Sequence, residues 1–146
     1  MANDELIADF QRMRADVVQE RGACLDKIDR LRAVYENAKE TLRRTNDQEQ
    51  AAVSIDDSKR AETKRLVDHV NGLPNQPQVF LERISKLESE LQQTSDQRKS
   101  ANAETRKRQQ QVDLATTNLT LAEAELKKIE KNLAEVDEQL RLLRGH

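Results

Sequence analysis

The sequence predicts an all-α protein of two long coiled-coil helices separated by a Pro/Gly break. Three observations predict it: an apolar stripe that steps alternately by four and three residues, a composition rich in charge and poor in rings, and one cluster of helix breakers at the midpoint. Charged residues make up 36% of the 146 positions, against about 25% in an average globular domain. Phe10, Tyr35 and Phe80 are the only aromatics, too few to fill a wide core. Abundant Glu, Lys, Arg, Gln, Leu and Ala instead favour long helices.

The breakers are Asn71, Gly72, Leu73, Pro74, Asn75, Gln76 and Pro77. Gly72 suits a helix C-cap, and the prolines beyond it lack the amide hydrogen a continuing helix would use. The chain is therefore expected to comprise a first helix over 1–70, a turn or kink over 71–78 and a second helix over 79–146.

The second helix carries the more regular stripe. It runs Phe80, Ile84, Leu87, Leu91, Thr94, Arg98, Ala101, Thr105, Arg108, Val112, Ala115, Leu119, Ala122, Leu126, Ile129, Leu133, Val136, Leu140 and Leu143 without a slip. Such a seam is too narrow for one helix to hide, so a partner helix must cover it. In the first helix, Leu6, Phe10, Met13 and Val17 form one run. Cys24, Ile28, Leu31, Tyr35, Ala38 and Leu42 form another, offset by an inserted four residues near Arg21. An insertion of that size unwinds a supercoil locally, and with Gly22 it points to a bend over 17–24. The seam then passes through polar Thr45, Glu49, Asp56, Lys59 and Thr63 before recovering at Leu66, Val70 and Leu73.

Folded back at the prolines, the chain would pair positions whose numbers sum to about 153, as short connections between antiparallel helices require. Leu66 would meet Leu87 and Phe10 would meet Leu143, and the two polar stretches would coincide. That coincidence favours an antiparallel hairpin. A kinked rod paired along its length with a partner coil also satisfies the pattern. The residues expected at the coiled-coil partner interface are Phe10, Met13, Leu31, Leu42, Leu66, Val70, Leu87, Leu91, Val112, Leu119, Leu126, Leu133 and Leu140, with the break at Gly72, Pro74 and Pro77.

The side chains that carry chemistry are sparse. His69 and His146 are the only histidines and Cys24 the only cysteine, so no intrachain disulfide is available and no metal-ligand spacing is seen. The glycines, at 22, 72 and 145, form no phosphate loop. Catalytic, cofactor and metal sites are expected to be absent, and the chain is expected not to be an enzyme. Asn118-Leu119-Thr120 matches a glycosylation acceptor formally, but Leu119 belongs to the seam. Two basic clusters, Lys59-Arg60 with Lys64-Arg65 and Arg106-Lys107-Arg108, are expected to remain separate, solvated flanks without aromatics for base stacking. Arg98 and Arg108 on the seam call for acidic answers, expected from another chain. The formal charge of −2, the acidic start MANDELIADF and the lack of a long apolar run point to an intracellular, soluble protein with no membrane partner.

Four short stretches resemble the THO complex subunit 7 family, coiled-coil components of the nuclear machinery that couples transcription to mRNA export. They are Phe10-Gln11-Arg12-Met13; Leu66 and Val70 running into Pro74; Ile84, Leu87, Glu90 and Leu91; and Arg108, Gln111 and Val112. The resemblance implies a non-catalytic scaffold subunit in the nucleus whose arms lie along THO complex subunit 5, touching RNA only through its complex. Residues alone leave two other classes open: a kinetochore or cytoskeletal coiled-coil spacer, and a helical hairpin of a bacterial secretion apparatus.

One narrow seam buries little apolar surface. Sedimentation at micromolar concentration is expected to show an elongated, self-associated or poorly stable species. A compact, cooperatively melting globular monomer would contradict the reading.

Overall fold

A computed structural model describes residues 2–145 of the chain, without the side chain of Ala2, and His146 lies outside them. The protein is an all-α hairpin of two helices, α1 (Ala2–Asn71) and α2 (Gln78–Arg144). Of the two arrangements compatible with the sequence, the chain adopts the one in which its arms reverse and touch. The kinked rod with arms laid on a separate partner is not the arrangement seen.

Between the helices the break works through its prolines. The Gly72 amide still donates to the carbonyls of Asp68 (3.3 Å) and His69 (3.2 Å), and Leu73 donates to Val70 (3.1 Å). Gly72 thus prolongs the helical hydrogen-bonding run, and its φ is not positive. It follows the last residue of α1 directly, where the C-cap was expected, but without a left-handed conformation. What stops α1 is Pro74, which offers no amide to the next turn and disfavours helical geometry in the residue before it. Pro77 then opens α2: its carbonyl accepts from Phe80 (3.0 Å) and Leu81 (3.2 Å). Proline suits this position, because an amide there would have no helical acceptor.

The hairpin divides into two compact units, each a pair of antiparallel helix segments. Unit 1 joins residues 1–37 to 112–146, and unit 2 is the continuous stretch 38–111. In unit 1 the core is a ladder of small and branched side chains. Cys24, Ile28, Ala122 and Ile129 are buried, with Val17, Leu31, Leu119 and Leu126 packed against them. Nearer the chain ends, Val136 and Leu140 are also buried. Alanines and a cysteine at the centre let the helices approach closely, and the Cys24 thiol points at the Ala122 carbonyl 3.5 Å away.

The seam of α1 differs from its expected phase at the start. Leu6 (43% exposed) and Met13 (48%) face outward, whereas Ile7, Phe10 and Val17 face the partner helix. Stepping back from Ile28 through Cys24, Arg21, Val17, Arg14, Phe10 and Ile7 alternates four and three with no inserted residues. The expected slip near Arg21 is therefore absent, and α1 runs as one helix through Gly22. Arg14 and Arg21 occupy the two polar steps. Both are exposed, and each carries its guanidinium to an acid on α2: Arg14 to Asp137 (2.6 Å) and Arg21 to Glu130 (3.5 Å). Lys27 adds a third rung with Glu125 at 3.6 Å. These pairs fall within about one helical turn of the register read from the sequence.

A Cβ built on Gly22 meets nothing within 4 Å. Gly22→Ala is therefore expected to stabilise the protein by about 1 kcal/mol, the helix-propensity difference at an exposed interior site. A thermal melt followed by circular dichroism checks this, and a lower midpoint would mean that the glycine serves a bend.

Candidate functional site

Unit 2 has a different interior, in which the seam is mostly hydrogen-bonded rather than apolar. Val70 and Leu87 close it near the turn, where His69 meets Phe80 edge-on with ring centroids 6.0 Å apart. His69 is exposed, yet it also packs edge-on against the first aromatic of α2.

Further along stands Asp56, fully buried at a seam position. Its carboxylate accepts from Thr94 Oγ1 (3.0 Å), Arg98 (3.1 Å) and Arg60 (3.2 Å). Arg98 also donates to Asp57 at 2.9 Å. The acidic answer to Arg98 thus comes from the same chain, not from another chain as the sequence suggested. Arg108, the other seam arginine, is answered within its own helix by Glu104 (2.9 Å) and Gln111 (3.1 Å). On one side of Asp56, Lys59 bridges to Glu90 at 2.9 Å. On the other, Asn102 donates to Glu49 at 3.1 Å. Buried Thr45 and Thr63 return their hydroxyls to the carbonyls of Thr41 and Lys59, four residues back. Among the described residues no buried side-chain polar atom lacks a partner.

The electrostatics follow from this geometry. Burial pushes the Asp56 carboxyl up, but Thr94, Arg98 and Arg60 together outweigh it and hold the group below its ordinary value. Hydrogen bonds from Thr105 and Asn102 lower Glu49, and Lys59 lowers Glu90.

The expected interface residues divide between the two units. In unit 1, Phe10, Leu31, Leu119, Leu126 and Leu133 are half-buried, Val112 and Leu140 are buried, and Met13 is exposed. In unit 2, Leu42, Leu66 and Leu91 are half-buried, Val70 and Leu87 are buried, and Gly72, Pro74 and Pro77 are exposed at the turn. Apart from Met13 and the residues of the turn, their apolar faces are spent on packing between the chain's own two helices. Cys24 is a buried seam residue.

Two surface features lie outside that seam. On α2 of unit 1, Leu114 and Leu121 are 63% and 64% exposed, one heptad apart, with exposed Thr117 and Ala124 completing a short stripe. In unit 2, an open groove between the helices is lined by Arg60 together with Arg106 and Lys107. The two basic clusters were expected to stay apart. The fold brings one member of the first beside two of the second, while Lys59 turns away to Glu90 and Glu62. Exposed leucines at off-seam positions were the sequence signal for the first feature. The second depends on register and side-chain direction, which composition does not reveal.

Among the described residues no group of three or more His, Cys, Asp and Glu side chains could hold a metal ion, and no helix is long and apolar enough to cross a membrane. No protein-family model, curated protein or solved structure matches the chain.

The lowered carboxyls give a signed pH dependence. A carboxyl whose folded pKa is depressed contributes stability that is fully present above its unfolded value and is lost as pH falls through the folded value. The melting midpoint is therefore expected to be flat near neutrality and to fall as pH drops below about 4, the ordinary carboxylate range. Asp56→Asn is expected to lower the midpoint at pH 7 and to flatten this acid limb. An unchanged acid limb would remove Asp56 from the account.

Proposed function

We propose that this chain is a non-catalytic scaffold that binds another helical protein on the outer face of its hairpin. The observation that carries this reading is the pair Leu114 and Leu121, large apolar side chains left exposed on a protein whose seam is already covered. Single exposed leucines are ordinary. Two of them one heptad apart, in line with Ala124, form the start of a second stripe, which a coiled-coil helix of a partner would cover.

The resemblance to THO complex subunit 7 supports a finer version. The partner assembly would be the nuclear THO complex, with subunit 5 as the neighbouring coil and mRNA ribonucleoprotein reached through the complex. The resemblance spans Phe10 to Val112, and its apolar members Leu66, Val70, Leu87 and Leu91 lie on the hairpin seam. Partner contact would therefore fall on the outer faces, and the arms would not be splayed along subunit 5.

The test compares two aspartate variants in cells. Leu114→Asp with Leu121→Asp is expected to retain helicity and melting midpoint while losing co-purifying proteins. Leu126→Asp, on the seam, is expected to lower the midpoint itself, because an uncompensated buried charge costs on the order of 3 kcal/mol or more. Unchanged partner recovery by the double variant would remove the outer stripe from the reading. Microtubule or centromere proteins in place of THO subunits would replace the finer one.

A further inference from the structure

The groove in unit 2 has walls and floor of different chemistry. Val53 and Ala103 supply small apolar surface, while Lys99, Arg106 and Lys107 stand along the α2 side with Arg60 opposite. Arg60 is already engaged by Asp56 at 3.2 Å. Lys99, Arg106 and Lys107 are not so engaged: among the described residues no carboxylate lies within 4.0 Å of any of them. Some lysines and arginines reach carboxylates across the helix pair or within one helix, as Lys59, Arg43 and Arg141 do, and others, such as Arg30, Lys64 and Lys128, have none within 4.0 Å among the described residues. The lining of this one groove gathers five cations, Arg60, Arg98, Lys99, Arg106 and Lys107, against a single carboxylate, Glu49, whose charge acts on Arg106 and Arg98.

From this we infer that the groove is a docking site for an acidic helix of a partner protein, with glutamates on the face turned toward α2. The inference rests on the reading of the chain as a helix-binding scaffold and names the charge of the partner. Spacing favours a helix over other polyanions. Lys99 and Arg106 are one heptad apart on α2, about 10 Å along the axis. Carboxylates one heptad apart on a second helix repeat at the same distance, so both cations are met without distortion. The small floor residues leave room for the apolar positions between those carboxylates. No aromatic side chain lines the groove to stack nucleobases.

Fluorescence anisotropy on the purified full chain tests this with a labelled synthetic helix of about four heptads, carrying Glu at every b and c position. The comparison peptide has the same composition with the glutamates scrambled out of heptad spacing. The ordered peptide is expected to bind about tenfold more tightly than the scrambled one, and the advantage should shrink as salt is raised. The triple variant Lys99→Glu, Arg106→Glu, Lys107→Glu should lose that advantage. Lys64→Glu with Arg65→Glu, whose cations lie outside the groove, should keep it. Circular dichroism of each variant establishes that the hairpin is intact, and single substitutions at Lys99 and Arg106 serve if the triple variant fails to fold.

Equal binding of ordered and scrambled peptides overturns the inference, as does binding unaffected by the charge reversals. Tighter binding of an oligouridine RNA, lost in the same triple variant, would reassign the groove to phosphate. The assay uses a purified peptide and a site on unit 2. A negative result therefore leaves the leucine stripe of unit 1 standing, and loss of partners through that stripe leaves this result standing.

Discussion

A seam one or two side chains wide is the constraint on which the rest of this structure depends. Neither helix can hide its own stripe, and in this protein each is the cover for the other. The Pro74–Pro77 break makes that possible by reversing the chain. Once the partner is the same chain, every polar residue on the seam must be answered there too. The Asp56 cluster is the clearest consequence. Slipped by a heptad, α2 would withdraw Thr94 and Arg98 and leave a buried carboxylate with a single arginine from its own helix. Such a state is costly, so the cluster selects register as well as contributing to the fold.

Much of this was legible in the residues, because a 4-3 apolar spacing and a double proline are direct statements about backbone geometry. Every seam position read in α2 from Phe80 to Leu143 is buried or half-buried. The failure at the start of α1 is equally instructive. Leu6 and Met13 look like seam residues beside Arg14 and Arg21, but the seam accepts the arginines. An arginine stem is apolar and its head can leave the interface, so polarity alone does not assign a face. Phase is better set by the longer run that follows, from Cys24 to Leu42, and propagated backwards through the arginines. Gly72 teaches a smaller lesson: a glycine directly after a helix can close its last turn without taking a left-handed conformation.

The candidate site was less legible for a related reason. Sequence marks Arg98 as a seam residue in need of an acid, but which acid answers depends on register, and Asp56 with Asp57 does so only in the folded hairpin. The same register places Arg60 beside Arg106 and Lys107. Because the seam is occupied from within, the proposed recognition of other proteins would fall to surfaces that a heptad plot treats as background. The exposed leucines of unit 1 and the basic groove of unit 2 are two such surfaces. Their chemistry differs, so one chain could hold two distinct helices of an assembly.

The central claim is that the chain covers its own seam in the register set by Asp56. Zero-length carbodiimide coupling measures this most directly, at Lys59 and Glu90, whose side chains meet at 2.9 Å. The account predicts rapid intrachain amide formation between these two residues in dilute solution, and little when the acid is moved one heptad, in Glu90→Gln with Gln97→Glu. Equal coupling of both pairs, or linkage only between chains, would contradict it.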